Sequence, residues 1–219
     1  TTPSCSFYAK EVGCLGALVI TASHNPYNWL GLKIKSFNGC SVDESFTSEV
    51  EKRLMLGNSI EKIDGINQLV DIKKFHLDRI KSLFDIDYIS KRLKKMKLRI
   101  FVDSMHGSAA NCMAEIFASN DLEVISEIRK DADPFFGGKP PEPLLNYADD
   151  LKQTLMKNST NEVKTLGIIF DGDGDRIAAI DEKGRYSSTQ DLLPYFISYL
   201  GEIKNNSYPV LKTVSGSDI

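Results

Sequence analysis

The sequence has four cysteines, Cys5, Cys14, Cys40 and Cys112, and none of them stands in a C-x-x-C spacing. That excludes the paired thiolates of a structural zinc site and leaves no disulfide framework, so a reducing, cytoplasmic compartment is expected. Long hydrophobic runs are missing as well. Gly16 to Ile20 and Leu166 to Phe170 are strand-length, far short of the roughly 20 apolar residues a membrane span needs, and no membrane partner is expected. A basic excess is also missing: the net charge is -3, which argues against a nucleic-acid partner. The one basic cluster, Lys91, Arg92, Lys94, Lys95, Lys97 and Arg99, is punctuated by Leu93, Met96 and Leu98. It reads as the solvated face of a helix end running into a strand. No internal repeat shows at a fixed period. Neither an initiator Met nor a basic-then-apolar leader precedes Thr1-Thr2-Pro3, and the chain stops at Ile219 soon after Ser207 to Val214, which reads as a strand entering a new unit. Both ends are expected to be cuts through a longer protein.

What remains is globular in composition, 42% hydrophobic and 26% charged, and organised in alternating elements. Gly16 to Thr21 is an apolar, β-branched strand leading into the turn-forming Ser23-His24-Asn25-Pro26. Leu32 to Phe37 alternates apolar and polar before Asn38-Gly39, a second strand closed by a tight turn. Asp43 is placed to cap a helix through Met55, with Phe46, Val50 and Leu54 on one side. After a polar connector from Gly57 to Asp71, a helical pattern runs from Ile72 to about Met96 with an interruption near Asp85. Leu98 to Asp103 then opens a βαβ series. Its further elements are a helix from Gly107-Ser108 to about Ser119, a strand from Leu122 to Ile128, a helix from Tyr147 to Lys157 and a strand from Leu166 to Phe170. Strands alternating with helices predict an α/β fold with a parallel or mixed sheet. The segment Asp131 to Pro143 is a long, Pro- and Gly-rich loop of the kind that carries function. A helix from Thr189 to Leu200 begins a further unit.

Two constellations carry chemistry. Asp171-Gly172-Asp173-Gly174-Asp175-Arg176 follows an apolar strand and puts three carboxylates at alternate positions in a loosened turn. Converging carboxylates repel one another unless a divalent cation such as Mg2+ neutralises them, and Arg176 offers a planar fork to a phosphate. A calcium loop would need glycine where Arg176 stands, and helices where the flanks read as strands. An acidic surface turn is a further reading. An aspartyl nucleophile at Asp171, with Asp173 as acid and base, is another that this loop alone leaves open. The second constellation is Thr21-Ala22-Ser23-His24-Asn25-Pro26, a serine held between a buried strand and a proline-stopped turn, with His24 beside it and Lys33 on the return strand. Taken alone, such a hydroxyl equally serves to stabilise the turn.

Together, Thr21 to Pro26, Gly31-x-Lys33 and Asp171 to Arg176 resemble the paired signature of the α-D-phosphohexomutases, in the same order. Asp133-Pro134-x-Phe136-Gly137-Gly138 with Pro141-Glu142-Pro143 is similar to the loop that lies between the two motifs in that family. The resemblance implies an α/β fold of mixed-sheet domains, with the first and third incomplete and the fourth absent. Residues 1–78 would be the later part of the first domain, 79–185 the second and 186–219 the start of the third. It implies a phosphohexomutase that exchanges hexose 1-phosphate and hexose 6-phosphate through a phosphoserine and a 1,6-bisphosphate intermediate, a Mg2+-dependent isomerase of carbohydrate metabolism with glucose 1,6-bisphosphate as activator. Thr21 favours glucose or mannose phosphates over glucosamine phosphate. Ser23 would be the phosphorylated nucleophile and, with Asp171, Asp173 and Asp175, a metal ligand. His24 and Lys33 would serve proton transfer and charge stabilisation, and Arg176 would contact phosphate. One position departs from the family pattern: Leu30 stands where an asparagine is common. A Mg2+-dependent phosphatase and a catalytically inert fragment are the alternatives.

Overall fold

The computed structural model describes residues 1–57, 65–117 and 124–211. Helix α1 (Thr2–Val12) starts where the Thr1 hydroxyl accepts the Ser4 amide and ends at Gly13 in the left-handed region. Strands β1 (Gly16–Ile20) and β2 (Leu32–Ser36) pair antiparallel, setting Val19 opposite Lys33 and Ile20 opposite Leu32. Asp43 caps α2 (Glu44–Met55) by accepting the Phe46 amide. The apolar stripe of this helix is nevertheless uncovered, with Phe46 50% and Leu54 74% exposed.

The helical run from Ile72 is two helices, α3 (Ile72–Leu83) and α4 (Ile86–Lys95), divided where the Asp85 side chain turns back to accept the Tyr88 amide. Then come β3 (Leu98–Asp103), α5 (Cys112–Phe117), β4 (Ile125–Ile128), α6 (Asp149–Asn158) and β5 (Lys164–Phe170). Helix α5 begins later than Gly107-Ser108 because the Ser108 amide is drawn to the Gly172 carbonyl and Asn111 takes a left-handed conformation. The ends expected at Ser119 and Leu122 lie outside the described residues. Strands β6 (Ile177–Asp181) and β7 (Tyr186–Ser187) turn back antiparallel. Helix α7 (Thr189–Ser198), opened by a capping box between Ser188 and Asp191, runs on into a π turn over Tyr199–Ile203. The strand expected from Ser207 is not formed across residues 207–211. Tyr208 and Leu211 there are exposed, and a strand without a neighbour has nothing to satisfy its backbone. Residues 212–214 lie outside the described residues.

The large sheet has the order β4-β3-β5-β6-β7, its first three strands parallel. Alternation along β3 sends Ile100 and Val102 to one face, with Leu77, Leu93, Ile116 and Ile125, and Phe101 to the other, with Leu151, Leu155, Ile169 and Ile180. Helices α3, α4 and α5 therefore cover one face and α6 the other. Phe7 and Tyr8 of α1 pack their rings on Phe75 of α3, which ties the β1–β2 hairpin to this body. The chain leaves β3 toward β4 and leaves β5 toward β6, in opposite directions. The crevice beyond the carboxyl ends of β3 and β5 is thus the topological switch point, where open α/β sheets bind ligands. No helix among the described residues is long and apolar enough to cross a membrane.

Candidate functional site

At that switch point the acidic loop leaves β5. Asp171 folds the loop over its own carboxylate: Oδ1 accepts the amides of Asp175, at 2.9 Å, and Arg176, at 3.0 Å. Its Oδ2 is buried with no hydrogen-bond partner, in a residue that is 0% exposed. Burial, with Asp175 and Asp173 adding like charge, pushes its carboxyl up to about 6. Burial acts on Asp173 in the same direction. Hydrogen bonds from Lys33 and Thr2 outweigh it and hold the Asp173 carboxyl below the ordinary carboxylate range. One oxygen each from Asp171, Asp173 and Asp175 lies within 4.8 Å of the others.

The serine loop closes over this cluster from the hairpin. The Thr21 amide donates to the Gly31 carbonyl at 3.0 Å, so the base of the loop is pinned with Leu30 beside Gly31. The Ser23 amide donates to Thr21 Oγ1 at 2.8 Å, and Ser23 takes a left-handed conformation, φ 56°. A β-substituted residue held there carries strain of a kind concentrated at functional sites. Its hydroxyl donates to Asp173 Oδ1 at 3.3 Å, and His24 Nδ1 stands 3.4 Å from the same Oγ. Lys33, placed on β2 opposite Val19, reaches Asp173 at 2.6 Å and Asp175 at 3.0 Å. Burial lowers its affinity for a proton, but those two carboxylates raise the ammonium above its ordinary value. Arg176 points to Glu142, with Nη1 3.5 Å from Oε1.

All seven residues singled out in the sequence, Ser23, His24, Lys33, Asp171, Asp173, Asp175 and Arg176, thus meet in one crevice, although they come from the β1–β2 hairpin and the loop after β5, far apart in the chain. Two contributors were not singled out. Thr2, buried at the start of α1, donates its hydroxyl to Asp173 Oδ2 at 2.5 Å and its amide to the Asp173 carbonyl at 2.9 Å. The only sequence signal for it is the helix start at Thr1-Thr2-Pro3. Glu142 faces both His24 and Arg176, and its signal was the proline-framed loop around it.

The residues fit a hard divalent cation. Three carboxylates offer oxygen donors only, and the partnerless, buried Oδ2 of Asp171 calls for a proton or a positive charge. Asp171, Asp173, Asp175 and the Ser23 oxygen are the groups placed to hold one.

The family model for phosphoglucomutase/phosphomannomutase alpha/beta/alpha domain II matches residues 74–184, and that for domain I matches residues 1–59. The chain is 31% identical over 226 residues to phosphoglucosamine mutase of Methanococcus vannielii, across 99% of this chain and 47% of that protein. It is 27% identical over 231 residues to phosphoglucomutase 1 of Drosophila melanogaster, across 93% of this chain and 40% of that protein. A crystal structure of a phosphoglucomutase/phosphomannomutase family protein from Burkholderia thailandensis shares the fold, with a TM-score of 0.69 and 23% identity over 86% of this chain and 38% of that one. The chain spans less than half the length of each of these relatives.

Proposed function

This chain belongs to the phosphoglucomutase/phosphomannomutase family, and we propose that it carries the phosphoserine and metal-binding part of a phosphohexomutase. The reaction would exchange hexose 1-phosphate and hexose 6-phosphate, of glucose or mannose, with glucose 1,6-bisphosphate as activator. We place the later part of its first domain at residues 1–78, the second domain at 79–185 and the start of the third at 186–219, with α3 and β7 crossing those bounds to complete the large sheet.

One observation carries the choice of nucleophile. Ser23 is half-buried and turns its hydroxyl toward Asp173 and His24, whereas Asp171 is sealed, with one oxygen held by two backbone amides. In-line attack on a phosphate needs an open approach, which Ser23 has and Asp171 lacks. This weighs against an aspartyl phosphatase.

A cation such as Mg2+ held by Asp171, Asp173, Asp175 and the serine oxygen supplies charge neutralisation for a phosphoserine. The chain's own residues do the rest. A sugar hydroxyl attacks the phosphorus of phosphoSer23, an O–P bond forms to the sugar, and the Ser23 Oγ–P bond breaks. His24 lies against Oγ and moves the proton between the two oxygens. Lys33 and Arg176 steady the charge on the phosphate oxygens. The resulting bisphosphate returns its other phosphate to Ser23 by the reverse step.

Incubation with Mg2+ and glucose 1,6-bisphosphate, beside a Ser23→Ala control, tests this by peptide mass spectrometry. Phosphate on Ser23 and none in the control is the expected result, while acid-labile phosphate on Asp171 would overturn it. The 31% identical relative is a phosphoglucosamine mutase, which favours glucosamine phosphate as a second reading. The same labelling with glucosamine 1,6-bisphosphate, run beside the glucose compound, decides between them by relative rate.

A further inference from the structure

The loop that follows β4 brings a carboxylate to the reacting side of the crevice. Glu142 Oε1 lies 3.8 Å from His24 Nε2 and 3.5 Å from Arg176 Nη1, while the opposite ring nitrogen of His24 faces Ser23 Oγ. The backbone around Glu142 is fixed on both sides. The Pro141 carbonyl accepts the Gly172 amide of the acidic loop at 3.0 Å, and the Pro143 carbonyl accepts the Tyr186 hydroxyl of β7 at 2.5 Å. Flanking prolines at 141 and 143 restrict φ further. This carboxylate is therefore placed by the same structure that places the carboxylates of the acidic loop.

A negative group beside a site for anionic sugar phosphates weakens binding of the substrate, so its use has to lie elsewhere. An imidazole that exchanges a proton with a hydroxyl on one nitrogen is held in its working orientation by a partner on the other. We infer that Glu142 is a positioning residue: it aligns His24 on Ser23 and, through the same oxygen, restrains Arg176. The inference rests on the phosphoserine reading above. In the labelling direction, the Ser23 hydroxyl proton moves to His24 Nδ1, Oγ bonds the phosphorus, the sugar O–P bond breaks, and the sugar oxygen takes that proton up. Glu142 touches neither reacting atom.

The test compares the full chain with E142Q and E142D. With glucose 1,6-bisphosphate and Mg2+, E142Q is expected to lower the maximal rate of Ser23 phosphorylation at least about tenfold, as misorientation of a reacting group does. The half-saturating concentration should be unchanged or lower and the melting temperature unaltered, and E142D should recover part of the rate. A rate within twofold of the parent, or a loss seen wholly as weaker saturation, would overturn the inference. A second readout needs no turnover. In nitrogen-15 spectra the His24 ring nitrogens and the Arg176 Nε–H should both shift in E142Q, and unchanged signals would refute the placement. If the unaltered chain takes no phosphate on Ser23, the inert-fragment reading of this chain stands and the spectra alone decide the role of Glu142.

Discussion

The carbonyl oxygen of Ser23 lies where a side chain on Gly172 would begin: a β-carbon at that glycine would approach it to 2.5 Å and Pro141 Cγ to 2.9 Å. A β-carbon on Gly107 would in turn meet the Gly172 carbonyl oxygen at 2.6 Å. Four loops therefore meet at backbone contact, and backbone cannot swing aside as the end of a long side chain can. Gly172→Ala is expected to push the serine loop off the carboxylates. Phosphate incorporation at Ser23 should fall on the order of a hundredfold, with a stability loss of about 1–3 kcal/mol from overpacking. Peptide mass spectrometry and urea titration measure the two, and labelling at the parent rate would show that the loops do not depend on this contact.

The sealed carboxylate of Asp171 makes a second prediction. Without a divalent cation it is a buried charge beside two others, so replacing it by asparagine relieves repulsion and burial together. In EDTA at neutral pH, Asp171→Asn should melt at a higher temperature than the parent. With saturating Mg2+ the parent should gain stability by mass action and the variant gain much less. Calorimetry under the two conditions checks this. A parent that melts at the same temperature with and without Mg2+ would remove the cation from this site.

Both motifs were legible in the sequence because each is contiguous. Loop chemistry at Ser23 and at Asp171 to Asp175 is set by neighbours in the chain, and the strands beneath them are short apolar runs. Thr2 and Glu142 were not legible because their parts depend on packing at long range: Thr2 meets Asp173 across a separation of 171 residues. The start of α5 was misplaced for the same reason, since the Ser108 amide is claimed by Gly172 rather than by a helix. At α2 the spacing of Phe46, Val50 and Leu54 announced the helix correctly. Periodicity reports which face is apolar, not what covers it, and Phe46 and Leu54 on that face are exposed.

Stability should also depend on pH through His76, whose ring lies between α1 and α3, with Nδ1 2.9 Å from Ser4 Oγ and the imidazole against Phe7. Burial lowers its affinity for a proton below the ordinary histidine value. The unfolded chain then binds the proton more readily than the folded one. The contribution is complete above the unfolded value, roughly 6.5, and is lost as the pH falls through the folded value. Melting temperatures taken between pH 7.5 and pH 5 should drop more steeply in the parent than in His76→Gln, and parallel curves would exclude His76 as the cause.

The tie that sets the loops beyond β3 is a buried ion pair. Asp103 is 0% exposed at the end of β3. Its carboxylate receives Arg129 through both Nε, at 2.8 Å, and Nη2, as well as the Met105 amide at 3.0 Å. Arg129 continues to the Tyr147 carbonyl at 3.0 Å, while its own carbonyl takes the His106 amide at 2.6 Å. The pair thus fixes the turn that leads into Gly107 and its contact with Gly172. Removing one partner strands a buried polar or charged group, so Asp103→Leu or Arg129→Met alone should each destabilise the fold by about 3–5 kcal/mol. Replacing both together, as Asp103→Leu with Arg129→Met, leaves no such charge and should recover much of that loss. A double-mutant cycle by urea unfolding reads the coupling directly. Losses that simply add would mean that the two side chains act independently and that the turn is held by its backbone bonds.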